Sequence, residues 1–206
     1  MDSPSPGVER MMFDRIGDEV ARATSLVRYA PNSVFPPHVH GGGEEFFVLE
    51  GEFADEHRTY PVGSYVRNPI GTKHAPRVGP AGCVLFVKLW QFEADDAAQI
   101  VIDTRKAEFS VNFAPGIDGM PLHRFGDEHV FLLRWAPNVH YKPHSHHGGE
   151  EVFVVEGSYV DDFGEYPAGS WVRYPDGSEH AARTTDEGAL LYLKAGHLPP
   201  PADGAQ

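Results

Sequence analysis

Residues 36–51 read PPHVHGGGEEFFVLEG, and residues 142–157 read KPHSHHGGEEVFVVEG. Both stretches contain His-x-His-x3-Glu, and the glutamate is followed seven residues later by glycine. Two histidines at i and i+2 of an extended chain project from the same face of a strand, so their imidazoles can converge on one ion. The glutamate follows a glycine turn and adds a hard oxygen ligand. Each stretch therefore predicts most of a metal site on β-structure.

A second pattern follows in each half of the chain. Residues 63–74 read GSYVRNPIGTKH and residues 169–180 read GSWVRYPDGSEH, both of which fit Gly-x5-Pro-x-Gly-x2-His. The Pro/Gly turn indicates that a third histidine lies at the start of a later strand. The predicted metal ligands are His38, His40, Glu44 and His74 in the first half, and His144, His146, Glu150 and His180 in the second.

The two halves are an internal repeat. An offset of 106 residues relates them without a gap from residue 26 to residue 88. Upstream, Gly17-Asp18-Glu19 matches Gly126-Asp127-Glu128 at an offset of 109, from which we expect three extra residues in an early turn of the second copy. We predict domains at 1–106 and 107–206, and a proline-rich tail or extended strap from residue 198.

Short apolar runs separated by Pro/Gly turns predict an all-β protein of the jelly-roll kind. The predicted strands are 26–29, 46–49, 65–67 and 84–90, with equivalents at 132–135, 152–155, 171–173 and 190–194. Residues 93–109 connect the copies, and we expect a crossover there with one short helix or strand.

Composition excludes several classes of function. The formal charge is −13, from 17 Lys+Arg against 30 Asp+Glu, and no basic cluster marks a nucleic-acid surface. No apolar run approaches the roughly 18 residues that span a bilayer, and no signal-peptide pattern opens the sequence. We therefore expect a cytoplasmic protein that binds neither nucleic acid nor membrane. The lone Cys83 is expected to be a small buried residue.

The two motifs, in this order, resemble the signature motifs of the cupin superfamily. Pro-His-x-His-x-Gly-Gly-Glu-Glu together with Gly-Ser-(Tyr/Trp)-Val-Arg-x-Pro is similar to the ChrR-type cupin family. The resemblance implies two tandem cupin barrels (jelly-roll, double-stranded β-helix) that form a bicupin. That family is named for a zinc-binding anti-sigma factor, and its relatives include dioxygenases that cleave acetylacetone or dihydroxyacetophenone. Since the sequence shows no counterpart of the sigma-binding zinc module, a sigma factor is not an expected partner.

Three imidazoles and a carboxylate suit Fe(II) or Zn(II), and also Mn, Ni or Cu, at two sites per chain. Four protein ligands leave positions open for a chelating substrate or dioxygen. Our leading hypothesis is a mononuclear Fe(II) dioxygenase that cleaves a small diketone or hydroxyketone. A non-catalytic zinc-binding sensor or regulator is the alternative, and a metal-dependent isomerase is a further one. We expect a monomer or homodimer.

The sequence allows more than one role for several residue pairs around the motifs. Arg67 and Arg173 are expected to form ion pairs within the sheet, or else to orient a ligand glutamate or an anionic substrate. Glu45 and Glu151 are expected to be surface or inter-sheet carboxylates. The aromatic pairs could line pockets or fill the core; they are Tyr65 and Trp171, Tyr29 and Trp135, and Phe53 and Tyr159.

Overall fold

The computed structural model describes residues 7–18 and 20–198, and the predicted all-β fold is confirmed. The chain divides into two compact units, Met1–Ala107 and Glu108–Gln206. Within the described residues, no helix has the length and apolar character needed to cross a membrane. Glu19, which belongs to the matched turn, and residues 199–206 of the predicted tail lie outside the described residues.

The first unit has a seven-stranded antiparallel sheet in the order β1-β2-β8-β4-β6-β9, with β5 paired to β4. Strands β3 and β7 form a separate two-stranded ladder. The strands are β1 Val8–Ile16, β2 Arg22–Tyr29, β3 His38–Val39, β4 Glu44–Ala54, β5 Thr59–Pro61, β6 Ser64–Asn68, β7 Lys73–His74, β8 Arg77–Leu89 and β9 Ile100–Asp103.

The second unit has an eight-stranded sheet in the order β10-β11-β12-β17-β14-β15, with β13 paired to β17 and β16 paired to β14. The strands are β10 Val111–Ala114, β11 Ile117–Phe125, β12 Glu128–Trp135, β13 His140–Ser145, β14 Glu150–Val160, β15 Glu165–Pro167, β16 Trp171–Tyr174 and β17 Glu179–Ala195. The repeat in sequence is therefore a repeat in topology, because β1, β2, β8, β4 and β6 pair in the same order as β11, β12, β17, β14 and β16.

Alternation along β4 separates two faces of the first sheet. Phe46 and Val48 belong to a buried apolar cluster, together with Val66 of β6 and Leu85 of β8. A matching cluster in the second unit includes Val152, Val154 and Leu191. Glu44 precedes Phe46 by two residues, so the core-facing side of β4 also carries a predicted metal ligand.

The glycine that closes each His-x-His motif is required by a close approach of two strands. Gly51 has φ +71°, and a β-carbon there would lie 2.0 Å from the carbonyl oxygen of Gly82. Gly157 has φ +74°, and a β-carbon there would lie 2.1 Å from the carbonyl oxygen of Gly188. Because only glycine tolerates both the positive φ and the contact, this position bends β4 and β14 without breaking them.

The chain path departs from expectation at the early turn and at the end of β8, and the crossover forms a strand. The early turn is longer in the first copy, not in the second, because Ile16 pairs with Arg22 across residues 17–21, whereas Phe125 pairs with Glu128 across two residues. The crossover contains the strand β9, which pairs with β6. Strand β8 ends at Leu89, one residue before the predicted end, since Trp90 adopts φ 58°.

Two candidate metal centres

The first centre is assembled by the ladder that pairs β3 with β7. His38 lies directly opposite His74, and their Nε2 atoms are 3.2 Å apart. His40 follows β3, and its Nε2 is 3.2 Å from that of His74 and 3.3 Å from Glu44 Oε2. One donor atom from each of these four residues lies within 4.8 Å of the other three. All four predicted ligands of the first half are therefore brought together.

Contacts on the far side of the rings orient two of these imidazoles. Thr72 donates its hydroxyl proton to the carbonyl of Pro69 at 2.6 Å, so its oxygen accepts from His40 Nδ1 at 2.9 Å. His38 Nδ1 lies 3.3 Å from the carbonyl oxygen of Pro36, to which it can only donate. With Nδ1 protonated in both rings, the Nε2 lone pairs point to the common centre, which is the tautomer that a metal ligand needs.

Electrostatics favour a neutral imidazole beside an ionised carboxylate. Burial lowers the pKa of His74 below its ordinary value. Burial alone would raise the pKa of Glu44, but the neighbouring rings of His40 and His74, together with Asn68, which donates to Glu44 at 3.1 Å, hold it below its ordinary value. At neutral pH this group therefore supplies a lone pair at His74 and a negative charge at Glu44, as a divalent cation requires.

The second centre repeats the arrangement of the three histidines, and its glutamate, Glu150, lies outside the group of donor atoms that fall within 4.8 Å of one another. His144 of β13 lies opposite His180 of β17, and their Nε2 atoms are 3.2 Å apart. Donor atoms of these two rings and of His146 all lie within 4.8 Å of one another. Glu150 approaches from β14, with Oε2 at 2.9 Å from His146 Nε2 and Oε1 at 3.8 Å from His180 Nε2. Burial lowers the pKa of both His144 and His180.

The residues behind the third histidine differ between the centres. In the first, Asp55 Oδ2 lies 3.7 Å from His74 Nδ1 and accepts a hydrogen bond from Tyr60 at 2.7 Å. In the second, a buried tyrosine replaces the carboxylate: the hydroxyl of Tyr159 lies 3.2 Å from His180 Nδ1.

Tyr159 continues into a chain of hydrogen bonds. Its hydroxyl is 3.2 Å from that of Tyr174, which donates to Asp161 Oδ2 at 2.5 Å. Burial raises the pKa of both tyrosines, so both are protonated at neutral pH. Phe53, which has no hydroxyl, occupies the position of Tyr159 in the first copy. This series of hydrogen bonds therefore distinguishes the second centre from the first.

The donor set fits a divalent metal ion. In the second centre, His146 Nε2 and Glu150 Oε2 are fully buried, and within the described residues neither has a hydrogen-bond partner. The 2.9 Å between these two atoms is thus a close approach without hydrogen-bond geometry. Buried polar atoms without partners are costly, and an ion between them would satisfy both. Nitrogen and carboxylate oxygen are donors that iron, zinc and their neighbours accept.

A cavity adjoins each group of ligands. The first, of about 390 Å³, is lined by His38, His40, Glu44 and His74, and also by Tyr29 and the arginines Arg10 and Arg15. Trp90 closes one side, and its ring covers Gly41 and Gly42 so tightly that a β-carbon at Gly42 would lie 2.3 Å away. The second cavity, of about 210 Å³, is lined by His144, His146, Glu150 and Trp135 among mainly apolar side chains.

Four other predicted residues lie away from these cavities. Arg67, Arg173, Tyr65 and Trp171 are absent from both linings in the described part of the chain, because alternation along β6 and β16 turns them to the other face of the sheet. Arg67 is fully buried and donates to Glu45 at 2.8 Å, with Asp96 as its second partner. Arg173 donates to Glu151 at 2.7 Å. Glu45 and Glu151 are each 1% exposed, so these carboxylates are inside the protein and not on its surface.

Several residues at the centres were not identified from the sequence. Thr72, Asp55, Asp161 and Tyr174 contact the ligands or their partners, and Trp90 forms a cavity wall. The repeat contained a signal for one pair, since Asp55 and Asp161 are related by the same offset of 106. Neither aspartate belongs to a motif, so the contact of Asp55 with His74 and that of Asp161 with Tyr174 become visible only in the folded barrel.

Two all-β barrel units, each with three histidines and a glutamate around one point, define a bicupin with two candidate metal centres. The model of the ChrR Cupin-like domain family matches residues 1–93 and 97–199, and the chain belongs to this family. No protein with a curated function matches the sequence.

Solved structures share the fold at low sequence identity. A protein from Nostoc punctiforme proposed to be a dioxygenase is 17% identical, with a TM-score of 0.79 over 93% of this chain and 74% of that one. A Pseudomonas aeruginosa protein proposed to be glyoxylate-induced is 18% identical, with a TM-score of 0.75 over 93% of this chain and 82% of that one. Oxalate decarboxylase from Bacillus subtilis is 12% identical, with a TM-score of 0.61 over 87% of this chain and 69% of that one. At these identities the likeness concerns the fold.

Proposed function

We propose that this chain is a metal-dependent dioxygenase that cleaves a carbon–carbon bond of a small diketone or hydroxyketone at a mononuclear iron(II) ion. We assign the reaction to the second centre, with His144, His146, Glu150 and His180 as ligands. The observation that supports this assignment is a pair of buried ligand atoms, His146 Nε2 and Glu150 Oε2, that make no hydrogen bond within the described residues and lie beside a mainly apolar cavity.

Iron(II) held by these residues would act as a Lewis acid toward the two oxygens of a chelating ketone and would supply the chemistry that dioxygen needs. The protein's own contribution is orientation and exclusion of water. The carbonyl of Lys142 accepts from His144 Nδ1 at 3.0 Å, which leaves Nε2 of that ring as a ligand. The apolar walls keep solvent from the reacting ketone and strengthen its interaction with charge.

The overall reaction balances without another reductant. A β-diketone and dioxygen contain together the atoms of a carboxylic acid and a 2-oxoaldehyde, so one carbon–carbon bond breaks and each product receives one new oxygen atom. The fold likeness to the proposed dioxygenase from Nostoc punctiforme supports this choice among cupin reactions.

Oxygen uptake by the iron-loaded chain tests the proposal, with acetylacetone as the first substrate. We expect uptake to be lost in His144→Ala and retained in His38→Ala, its matched variant in the first copy. Loss in His38→Ala alone would move the reaction to the first centre. No uptake with any diketone or hydroxyketone, together with zinc held in the purified protein, would support a zinc-binding regulator. Ketone conversion without oxygen uptake would support an isomerase.

A further inference from the structure

The cavity beside the first centre contains positive charges that the second cavity lacks. Arg10 and Arg15 of β1 lie in its wall, and Glu44 is the one acidic residue among the described residues that line it. Around the second cavity, the described lining includes Glu150 but neither arginine nor lysine. Since the whole chain has a formal charge of −13, the wall of the first cavity is locally opposite in sign to the protein.

A β-bulge brings the two arginines to the same face of β1. Side chains alternate along a regular strand, so residues 10 and 15 would point to opposite faces. The register shifts between Met12 and Asp14, and the extra residue reverses the alternation beyond it. Arg10 and Met12 precede the shift, Arg15 follows it, and all three line the cavity. Asp14 lies 3.8 Å from Arg22 and is not among the described lining residues.

The arginines are close enough to the metal ligands to act on the same ligand molecule. Tyr29 also lines the cavity, and burial raises the pKa of its hydroxyl. The charge of Glu44 raises this pKa further, whereas the charge of Arg10 lowers it, so one hydroxyl lies within the field of both groups. Arg15 donates to the carbonyl oxygen of Asp18, a neutral acceptor, and so keeps its positive charge. Arg10 is half-buried and Arg15 is exposed, so solutes can reach both.

The second unit removes both charges from the equivalent cavity. Its residue at the register position of Arg10 is Gly119, and a β-carbon there would lie 2.4 Å from the ring of Phe113. The aromatic ring therefore fills the space in which a side chain would begin. Arg124 has the register position of Arg15, but it is not among the described residues that line the second cavity.

We propose that the first centre binds a small carboxylate anion, which is shared between the metal ion and the guanidinium groups of Arg10 and Arg15. A metal ion with four protein ligands has positions open for oxygen donors, and guanidinium groups match the geometry of a carboxylate. With one acidic ligand, a divalent ion and two arginines, the cavity is positively charged and favours an anion over a neutral ketone. The inference goes beyond the proposed function, because it gives a ligand to the centre to which no reaction is assigned.

Binding of pyruvate to the zinc-loaded full chain, measured by calorimetry, tests the inference. A His144→Ala background leaves the first centre, and a His38→Ala background leaves the second. Hydroxyacetone is the neutral comparison, since it has the same three carbons and two adjacent chelating oxygens. Pyruvate should bind the first centre at least about tenfold more tightly than the second, with an affinity that falls as salt is raised, whereas hydroxyacetone should not prefer the first centre. Equal affinities of pyruvate for the two centres would overturn the proposal.

Variants of the arginines identify the source of the preference. Arg10→Gln and Arg15→Gln should each weaken pyruvate binding at the first centre about fivefold and leave hydroxyacetone binding unchanged, because the lost interaction is with the carboxylate charge. Arg10→Lys keeps the charge and should retain most of the affinity. The matched control, Arg124→Gln, changes the equivalent of Arg15 in the second copy and should have no effect. Unchanged pyruvate binding in both glutamine variants, or equal losses for the two ligands, would contradict the inference.

The visible spectrum of the cobalt(II)-loaded His144→Ala chain shows whether the anion reaches the metal. Pyruvate should change this spectrum over the concentration range in which calorimetry detects binding, and Arg10→Gln should shift that range about fivefold upward. Binding without a spectral change would place the anion on the arginines alone and would refute the shared site. Oxygen uptake with acetylacetone is measured separately on iron-loaded His38→Ala, which lacks the first centre, so failure of the dioxygenase and failure of the anion site are distinguishable.

Discussion

Replacement of Thr72 by valine should weaken metal binding at the first centre and nowhere else. The hydroxyl of Thr72 accepts from His40 Nδ1 at 2.9 Å, and His40 is 6% exposed. Valine has nearly the same shape but no acceptor, so Thr72→Val leaves a buried N–H unpaired and the ring free to turn. Loss of such a contact behind a ligand typically costs about 10–100-fold in metal affinity, or about 1.4–2.8 kcal/mol.

The measurement is zinc competition with a chromophoric chelator in a His144→Ala background, which isolates the first centre. Thr72→Ser retains the hydroxyl and should keep the affinity close to that of the parent. Ser178→Ala, in a His38→Ala background, is the matched change in the second copy. Ser178 donates to the carbonyl of Pro175 but makes no hydrogen bond to a ligand histidine among the described residues, so its loss should have little effect. Equal losses in the two copies, or no loss in Thr72→Val, would refute the assigned role of this hydroxyl.

Three further predictions concern stability. Arg67→Ala should lower the free energy of unfolding by about 3–5 kcal/mol, because it removes the buried cation that contacts both Glu45 and Asp96. Arg173→Ala should cost less, because that side chain is 27% exposed; equal urea midpoints for the two variants would contradict this. Burial lowers the pKa of His74, His144 and His180 in the folded protein. Between these lowered values and about 6.5 the unfolded chain binds more protons than the folded one, so the metal-free protein should lose stability as the pH falls below about 6.5. Urea unfolding at pH 7.5 and at pH 5 tests the sign of this change. Removal of the metal by a chelator should lower the melting temperature, because bound metal stabilises the folded state. The far-UV circular dichroism of the folded protein should stay unchanged, since each unit has its own apolar core. Loss of the β signal on chelation would show that the metal is needed for folding.

The metal-site motifs were informative because their geometry is local. His38 and His40 are two residues apart on an extended chain, and the turn before His74 is set by Pro69 and Gly71. Because side chains alternate along an extended chain, such spacings indicate which side chains point the same way, so the ligands could be named without a structure. The edges of the sheet were less predictable. Strand β1 was not predicted because it is partly exposed and mixes charged and apolar residues without clear alternation.

The segment between the copies illustrates the limit of local propensity. Residues 97–102 have some helical potential, yet Ile100–Asp103 is a strand. The reason is tertiary: β6 offers an unpaired edge, and β9 satisfies it over four residue pairs from Ser64 to Arg67. The early turn was assigned to the wrong copy, since an offset that falls from 109 upstream to 106 downstream places the three extra residues in the first copy, as the pairing of β1 with β2 also shows.

The amino-acid sequence was sufficient to predict two all-β copies of one barrel and eight side chains of ligand type at matched spacing. Those properties follow from periodicity, turns and repetition, which act over a few residues. What surrounds each centre is set by tertiary packing: an aspartate behind His74 but a tyrosine behind His180, and arginines in the wall of one cavity but mainly apolar side chains in the other. These contacts join residues far apart in the chain, and no local rule specifies which of them meet.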